Sequence, residues 1–222
     1  MFELELKSLI KSLRVMLTKA FTQILRYGLI AILFSSCVGS KPDNADNLCS
    51  IFDDRRSWYK SAKSAQQRWG SSIPVSMAII YQESSFKARA KPQRNKFLWI
   101  FPGGRPSSAF GYAQALDSTW EEYEQRSGNG RASRSNFSDA IDFVGWYNAT
   151  STRTSGISKT DARGLYFAYH EGNAGYQRGT HRKKQWLLDA AARVQSNSNK
   201  FAIQLNECRA ELDRNWFQRL LF

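Results

Sequence analysis

Acidic residues are scarce in this chain. Its 222 residues hold 19 Asp and Glu against 32 Lys and Arg, which leaves a formal net charge of +13. The basic residues are spread along the chain and not packed into one tail, and an anionic partner is implied. Histidine is rarer still, with two residues in all. A zinc hydrolase of the His-Glu-x-x-His kind would need a second ligand one helical turn after His170-Glu171, and position 174 is Ala. The three cysteines form no Cys-x-x-Cys pair, and there is no Gly-x-Ser-x-Gly elbow and no phosphate loop, since Gly128-Asn129-Gly130 alone reads as a turn. Cofactor and metal chemistry are therefore not implied. Long apolar runs are also missing: Tyr27 to Phe34 is too short to span a bilayer as a stable helix, although it suits the core of an export signal.

What the chain does have is a carboxyl at the end of an apolar turn. In the run Met77-Ala78-Ile79-Ile80-Tyr81-Gln82-Glu83-Ser84, Glu83 closes a helical segment whose other residues want burial. Desolvation disfavours the charged form, so such a carboxyl can stay protonated near neutral pH and donate a proton to a leaving group. The same residue could equally be a partly exposed Glu at a helix end. Two further segments carry polar groups suited to sugars. Gly111-Tyr112-Ala113-Gln114 combines a glycine able to bring backbone close with an amide that donates and accepts, and Ala168-Tyr169-His170-Glu171-Gly172 ends an aromatic helical stretch.

In this order the three segments resemble the lytic transglycosylase catalytic domain, a branch of the lysozyme superfamily related to goose-type lysozyme. The family pattern is a Glu-Ser pair after an apolar helix, a Gly-x-x-Gln segment followed by a Thr (here Thr119), and an Ala-Tyr-x-x-Gly segment. The stretch Ala140 to Tyr147 looks like a degenerate form of the remaining helix motif, and the resemblance covers about Ile73 to Gly179. It implies a mainly α, lysozyme-like domain with a substrate cleft and a small β flap. It also implies Glu83 as a single acid and base, Ser84, Gln114, Tyr169 and Tyr112 as residues that orient the acid or hold the sugar, and Gly111 as a structural glycine. The implied reaction cleaves the β-1,4 bond between N-acetylmuramic acid and N-acetylglucosamine in peptidoglycan. The sugar's own 6-hydroxyl closes on the anomeric carbon to give a 1,6-anhydro product. Departures are His170-Glu171 where relatives have Asn-Ala, and Tyr112-Ala113 where many have Leu-Met. Glu171 brings a second acid near the expected cleft, so a goose-type hydrolase that uses it, Glu121 or Asp117 stays open, as does a non-catalytic wall-binding lipoprotein.

Ser35-Ser36-Cys37 after the apolar run resembles a bacterial lipoprotein cleavage site. That resemblance implies a signal peptide over 1–36, with translation starting at Met1 or Met16, a lipid on Cys37, and a flexible tether over 37–47 before one domain at 48–222. An uncleaved anchor helix is the alternative. If Cys37 carries lipid, Cys49 and Cys208 remain to pair in an oxidising compartment or to stay as buried thiols. Val38 after the lipid cysteine leans towards the outer membrane, facing the periplasm. The expected partners are peptidoglycan strands and the membrane beneath the anchor, with room for an envelope-machine protein. The basic charge is read as meeting wall carboxylates and lipid head groups, not nucleic acid, and the protein is expected to act as a monomer.

Apolar spacing predicts helices over Ile51–Trp69, Val75–Ser84, Thr119–Arg126, Asp139–Tyr147, Ala162–Tyr169, Lys183–Val194 and Phe201–Leu221, with starts at Ser72, Ser118 and Asp161. Polar connections are expected over Gly128–Ser138 and Asn148–Ser158. The stretch 91–106 reads as a lid, a gripping hairpin or a packed flap, and Arg178, Arg182, Lys183 and Lys184 as a cluster able to help hold an acidic polymer.

Overall fold

A computed structural model describes residues 14, 16, 19, 23, 41–93, 96–97, 101–102 and 106–214. The chain divides into two units, Met1–Gly39 and Ser40–Phe222, and the three motifs lie in the second. Cys37 and the apolar run before it lie outside the described residues, as does the chain after Arg214. Among the described residues no helix is long and apolar enough to cross a membrane.

The second unit is mainly helical, as expected. Helix α1 spans Leu48–Asp54 and starts where the Asn47 side chain accepts the Ser50 amide at 2.9 Å. Helix α2 spans Arg56–Trp69 and stops at Gly70 in the left-handed conformation. One helix was expected from Ile51 to Trp69. The chain instead breaks at Arg55, whose backbone leaves the helical region (φ −130°, ψ 69°) while its guanidinium lies 4.7 Å from the Trp58 ring.

Helix α3, Ile73–Ser84, follows Ser72 as predicted and has Pro in its first turn, where a missing N–H costs nothing. Every residue from Ile73 to Ile80 is buried, so α3 is apolar on all sides and runs through the core. It packs against α5 (Phe137–Ser155) and α7 (Gln185–Asp213). Between them, α4 covers Asp117–Ser127 and α6 covers Ala162–Gln177, followed by a short 3-10 turn at Thr180–Lys183. Asp161 caps α6 as expected, its Oδ1 accepting the Gly164 amide at 2.8 Å. Ser118 does not cap α4, which begins one residue earlier, after Leu116.

Two more expectations fail for the same reason, that a polar residue can fill an interior position when it is small or satisfied. Helix α5 continues eight residues past Tyr147 because Asn148 and Ser151 face inward, with Asn148 Nδ2 donating to the buried Ser71 hydroxyl at 3.0 Å. The two helices expected after Lys183 are one, because Ser198 takes the buried place between Val194 and Phe201 and keeps the inward spacing unbroken.

The small β element is a two-residue ladder, Lys96–Phe97 antiparallel to Phe101–Pro102, and most of the rest of 91–106 lies outside the described residues. Cys49 and Cys208 form a disulfide that joins α1 to α7, with their Cα atoms 5.9 Å apart. The chain before α1 is held as well. Asp46 Oδ1 accepts from Lys200 at 2.8 Å and Pro42 is buried, so the part of the tether from Pro42 to Asn47 is fixed on the domain instead of free of it.

Candidate active site

Helix α3 delivers Glu83 to the end of the core. The next two residues, Ser85 and Phe86, both have positive φ (50° and 61°), a conformation that costs energy for residues with a side chain. Phe86 is fully buried, stacked on Tyr81 at 5.5 Å and tilted against Trp58 at 5.9 Å, and this packing turns the chain sharply just past the acid. Glu83 keeps part of its surface open while the protein crowds the rest. Desolvation pushes its pKa up to about 7, against the opposing pull of a hydrogen bond from Tyr166. A carboxyl poised there can give a proton and take one back at neutral pH.

The Gly111–Gln114 loop is built around close backbone approach. Gly111 has φ 79°, and a Cβ there would stand 2.0 Å from the Arg134 carbonyl oxygen, so the glycine is required as predicted. Gln114 is itself left-handed (φ 47°). Its Nε2 donates to the carbonyls of Ala90 and Gly111, both at 2.9 Å, which ties the loop to the segment just after the acid helix and leaves Oε1 as the group it can offer a ligand.

Helix α6 supplies two tyrosines one turn apart. Tyr169 donates to the Ala113 carbonyl at 2.5 Å, joining the third motif to the second. Its phenol pKa is pushed well up by burial and by the charge of Glu83. Tyr166 is the functional residue that the motif reading missed. Burial and the Glu83 charge hold its phenol far above the ordinary value, so it stays protonated and serves Glu83 as a donor. The available signal was its spacing of three residues from Tyr169, which puts both on one helix face.

Gln114, Leu116, Thr119, Tyr147, Tyr169 and Glu171 help to line a cavity of about 290 Å³. Glu83 does not line it. Tyr169, whose phenol is pushed up in part by the Glu83 charge, does. Glu171 at the rim is not a second free acid. Burial opposes its ionisation, yet hydrogen bonds from Lys184, Thr180 and His170 outweigh that and hold its pKa down at about 2. Lys184 Nζ reaches both carboxylate oxygens, at 2.7 and 2.8 Å. Asp117 pairs with Arg134 at 2.7 Å, and Glu121 is exposed.

Two expected site residues are largely buried. Ser84 is 7 % exposed and its hydroxyl donates back to the Ile80 carbonyl at 3.1 Å, closing the last turn of α3. Tyr112 is 3 % exposed and stands edge-on to both Trp58 and Phe137, which stack 3.8 Å apart. Its reading as a sugar-holding residue gives way to one as a core residue: the ring that would meet a sugar is spent on joining the loop to α2 and α5. His181 is sandwiched between Phe167 and Tyr176.

Comparison with protein families gives a match between the model of the transglycosylase SLT domain and residues 25–208. Comparison with curated proteins and with solved structures gives no match.

Proposed function

The chain belongs to the transglycosylase SLT domain family, whose activity is of the lytic transglycosylase type and whose substrate is peptidoglycan, and from that premise we propose that Glu83 carries the reaction as sole acid and base. The observation that carries this reading is the raised pKa of Glu83, about 7, together with a cavity lined by the other two motifs, one of whose residues, Tyr169, is acted on by the Glu83 charge. The protonated carboxyl gives its proton to the glycosidic oxygen between N-acetylmuramic acid and N-acetylglucosamine, and the C1–O bond breaks. The muramyl acetamido oxygen shares the positive charge that develops at C1. Glu83, now a carboxylate, takes the proton of the 6-hydroxyl as O6 bonds to C1. The product is a 1,6-anhydromuramyl end, no water is consumed, and Glu83 regains its starting proton.

A hydrolase would need a second carboxylate free to activate water. Glu171 is tied to Lys184 and Asp117 to Arg134, which supports the one-acid route. Gln114 and Tyr169 are assigned to holding the muramyl sugar, through the Gln114 oxygen and the Tyr169 ring. The net charge of +13 suits a polymer whose stem peptides bear carboxylates.

A family that acts on the cell wall implies an exported protein. We infer that export proceeds through the leader ending at Ser36 and leaves a lipid on Cys37, holding the domain at the outer membrane on its periplasmic side. The support is the Ser35-Ser36-Cys37 sequence after an apolar core.

The test is mass spectrometry of the soluble fragments released when the purified protein digests peptidoglycan, with Glu83→Gln beside it. Anhydromuramyl fragments that fall at least a hundredfold in the variant are expected. Hydrated reducing ends, or a variant as active as the parent, would overturn the assignment.

A further inference from the structure

Among the described residues of the unit Ser40–Phe222, the large apolar side chains left exposed are Leu116, Trp186 and Ile203. One of these three lines the cavity and another touches a residue that does. Leu116, 44 % exposed, lines it. Trp186, 56 % exposed, meets the imidazole of His170 edge to face at 4.8 Å, and His170 lines it too. An indole left in water beside this slot offers apolar surface for a ligand ring to cover.

The indole is also held in place. His170 Nδ1 lies 3.0 Å from Glu171 Oε1, and the same carboxylate binds the Lys184 ammonium and the Thr180 hydroxyl. Lys184 directly precedes α7, in which Trp186 is the second residue. The Glu171–Lys184 ion pair therefore ties the start of α7 to α6 and fixes the indole against the imidazole. The cluster depends on His170 and Glu171 of the third motif.

A pyranose ring has two faces of C–H groups and an edge of hydroxyls. Apolar surfaces on the flank of a slot that carries both polar and apolar groups fit that division, with a ring face on the indole and hydroxyls turned towards Thr119 and Glu171. Because the platform is preformed, binding loses little side-chain freedom. We propose that Trp186, backed by His170, is a stacking platform for an N-acetylated sugar ring of the glycan strand, one removed from the ring at which the bond breaks. This rests on the reading that the cavity takes the glycan.

The experiment is calorimetric titration of the full chain carrying Glu83→Gln with N-acetylglucosamine oligomers of two to six units, with Trp186→Ala and Trp186→Phe added in turn. Trp186→Ala is expected to weaken the longest oligomer about tenfold, the size of one aromatic contact, while the dimer changes less than about twofold and Trp186→Phe recovers most of the loss. Equal affinity with and without the indole, a loss equal at every length, no recovery with Phe, or no binding of any oligomer would overturn the platform. Digestion of peptidoglycan by the Glu83 parent is run beside it. Indole-dependent binding without anhydromuramyl product would leave the platform standing and remove the proposed reaction. Product without indole dependence would remove the platform alone.

Discussion

The Tyr166 phenol in the middle of α6 acts on the Glu83 carboxyl in the last turn of α3, pulling its pKa down as a hydrogen-bond donor does. This pull favours the ionised carboxyl and partly offsets the desolvation that raises its pKa. Tyr166→Phe removes the donor and keeps the ring. The Glu83 pKa should then rise further above 7, which moves the alkaline limb of the kcat profile to higher pH. Loss of orientation should lower kcat at the optimum by about tenfold, at the low end of what positioned acid–base groups contribute. A kcat profile on peptidoglycan measured from pH 5 to 9 reads both effects. An alkaline limb that stays where it was would show that Tyr166 only packs.

The same burial sets a cost on the folded state. The Glu83 pKa is raised from 4.5 to about 7, so the native protein holds this proton more tightly than the unfolded chain does. Its contribution to stability is fully present below pH 4.5 and is lost as pH rises through about 7. At about 1.4 kcal/mol per pKa unit, ionisation costs up to about 3 kcal/mol at high pH, reduced by whatever solvent reaches the carboxyl. Glu83→Gln has no charge to bury. It should be more stable than the parent by about 1 to 3 kcal/mol at pH 8.5 and within about 0.5 kcal/mol of it below pH 4.5. Urea unfolding at the two pH values gives the difference, and a gap that does not change with pH would mean the carboxyl is not desolvated in the folded protein.

What the sequence made legible is what local pattern encodes. The apolar run to Ile80 with an acid behind it says both that α3 is buried and that Glu83 lies in its last turn, and Gly111 announces close backbone approach. Tyr166 was hidden because its bond to Glu83 spans 83 residues and leaves no local trace. Tyr112 was misread because a motif groups neighbours in sequence while its side chains diverge in space: Gln114 turns to the cavity and Tyr112 to the Trp58–Phe137 stack. The break expected near Ser198 came from reading polarity as exposure, when one small hydroxyl fits among Val194, Phe201 and their neighbours.

The Cys49–Cys208 bridge closes a loop of 159 residues between α1 and α7. In the chain-entropy account, a loop that long removes enough freedom from the unfolded chain to contribute up to about 5 kcal/mol. Beside the packing of Leu48, Ile51 and Phe52, the polar ties of α1 and the segment before it to α7 are single hydrogen bonds, such as Gln204 Oε1 accepting the Leu48 amide at 2.8 Å, and the exposed Asp46–Lys200 pair. Each holds little by itself in contact with solvent. Replacing both cysteines with Ser should therefore lower the urea midpoint by the equivalent of several kcal/mol and open the segment around residues 41–55 to protease before the rest. Neither cysteine lines the cavity, so kcat at a temperature where the variant is folded should stay within about twofold of the parent. An unchanged urea midpoint, or proteolysis that begins elsewhere, would show that packing of Leu48, Ile51 and Phe52 alone holds α1 in place.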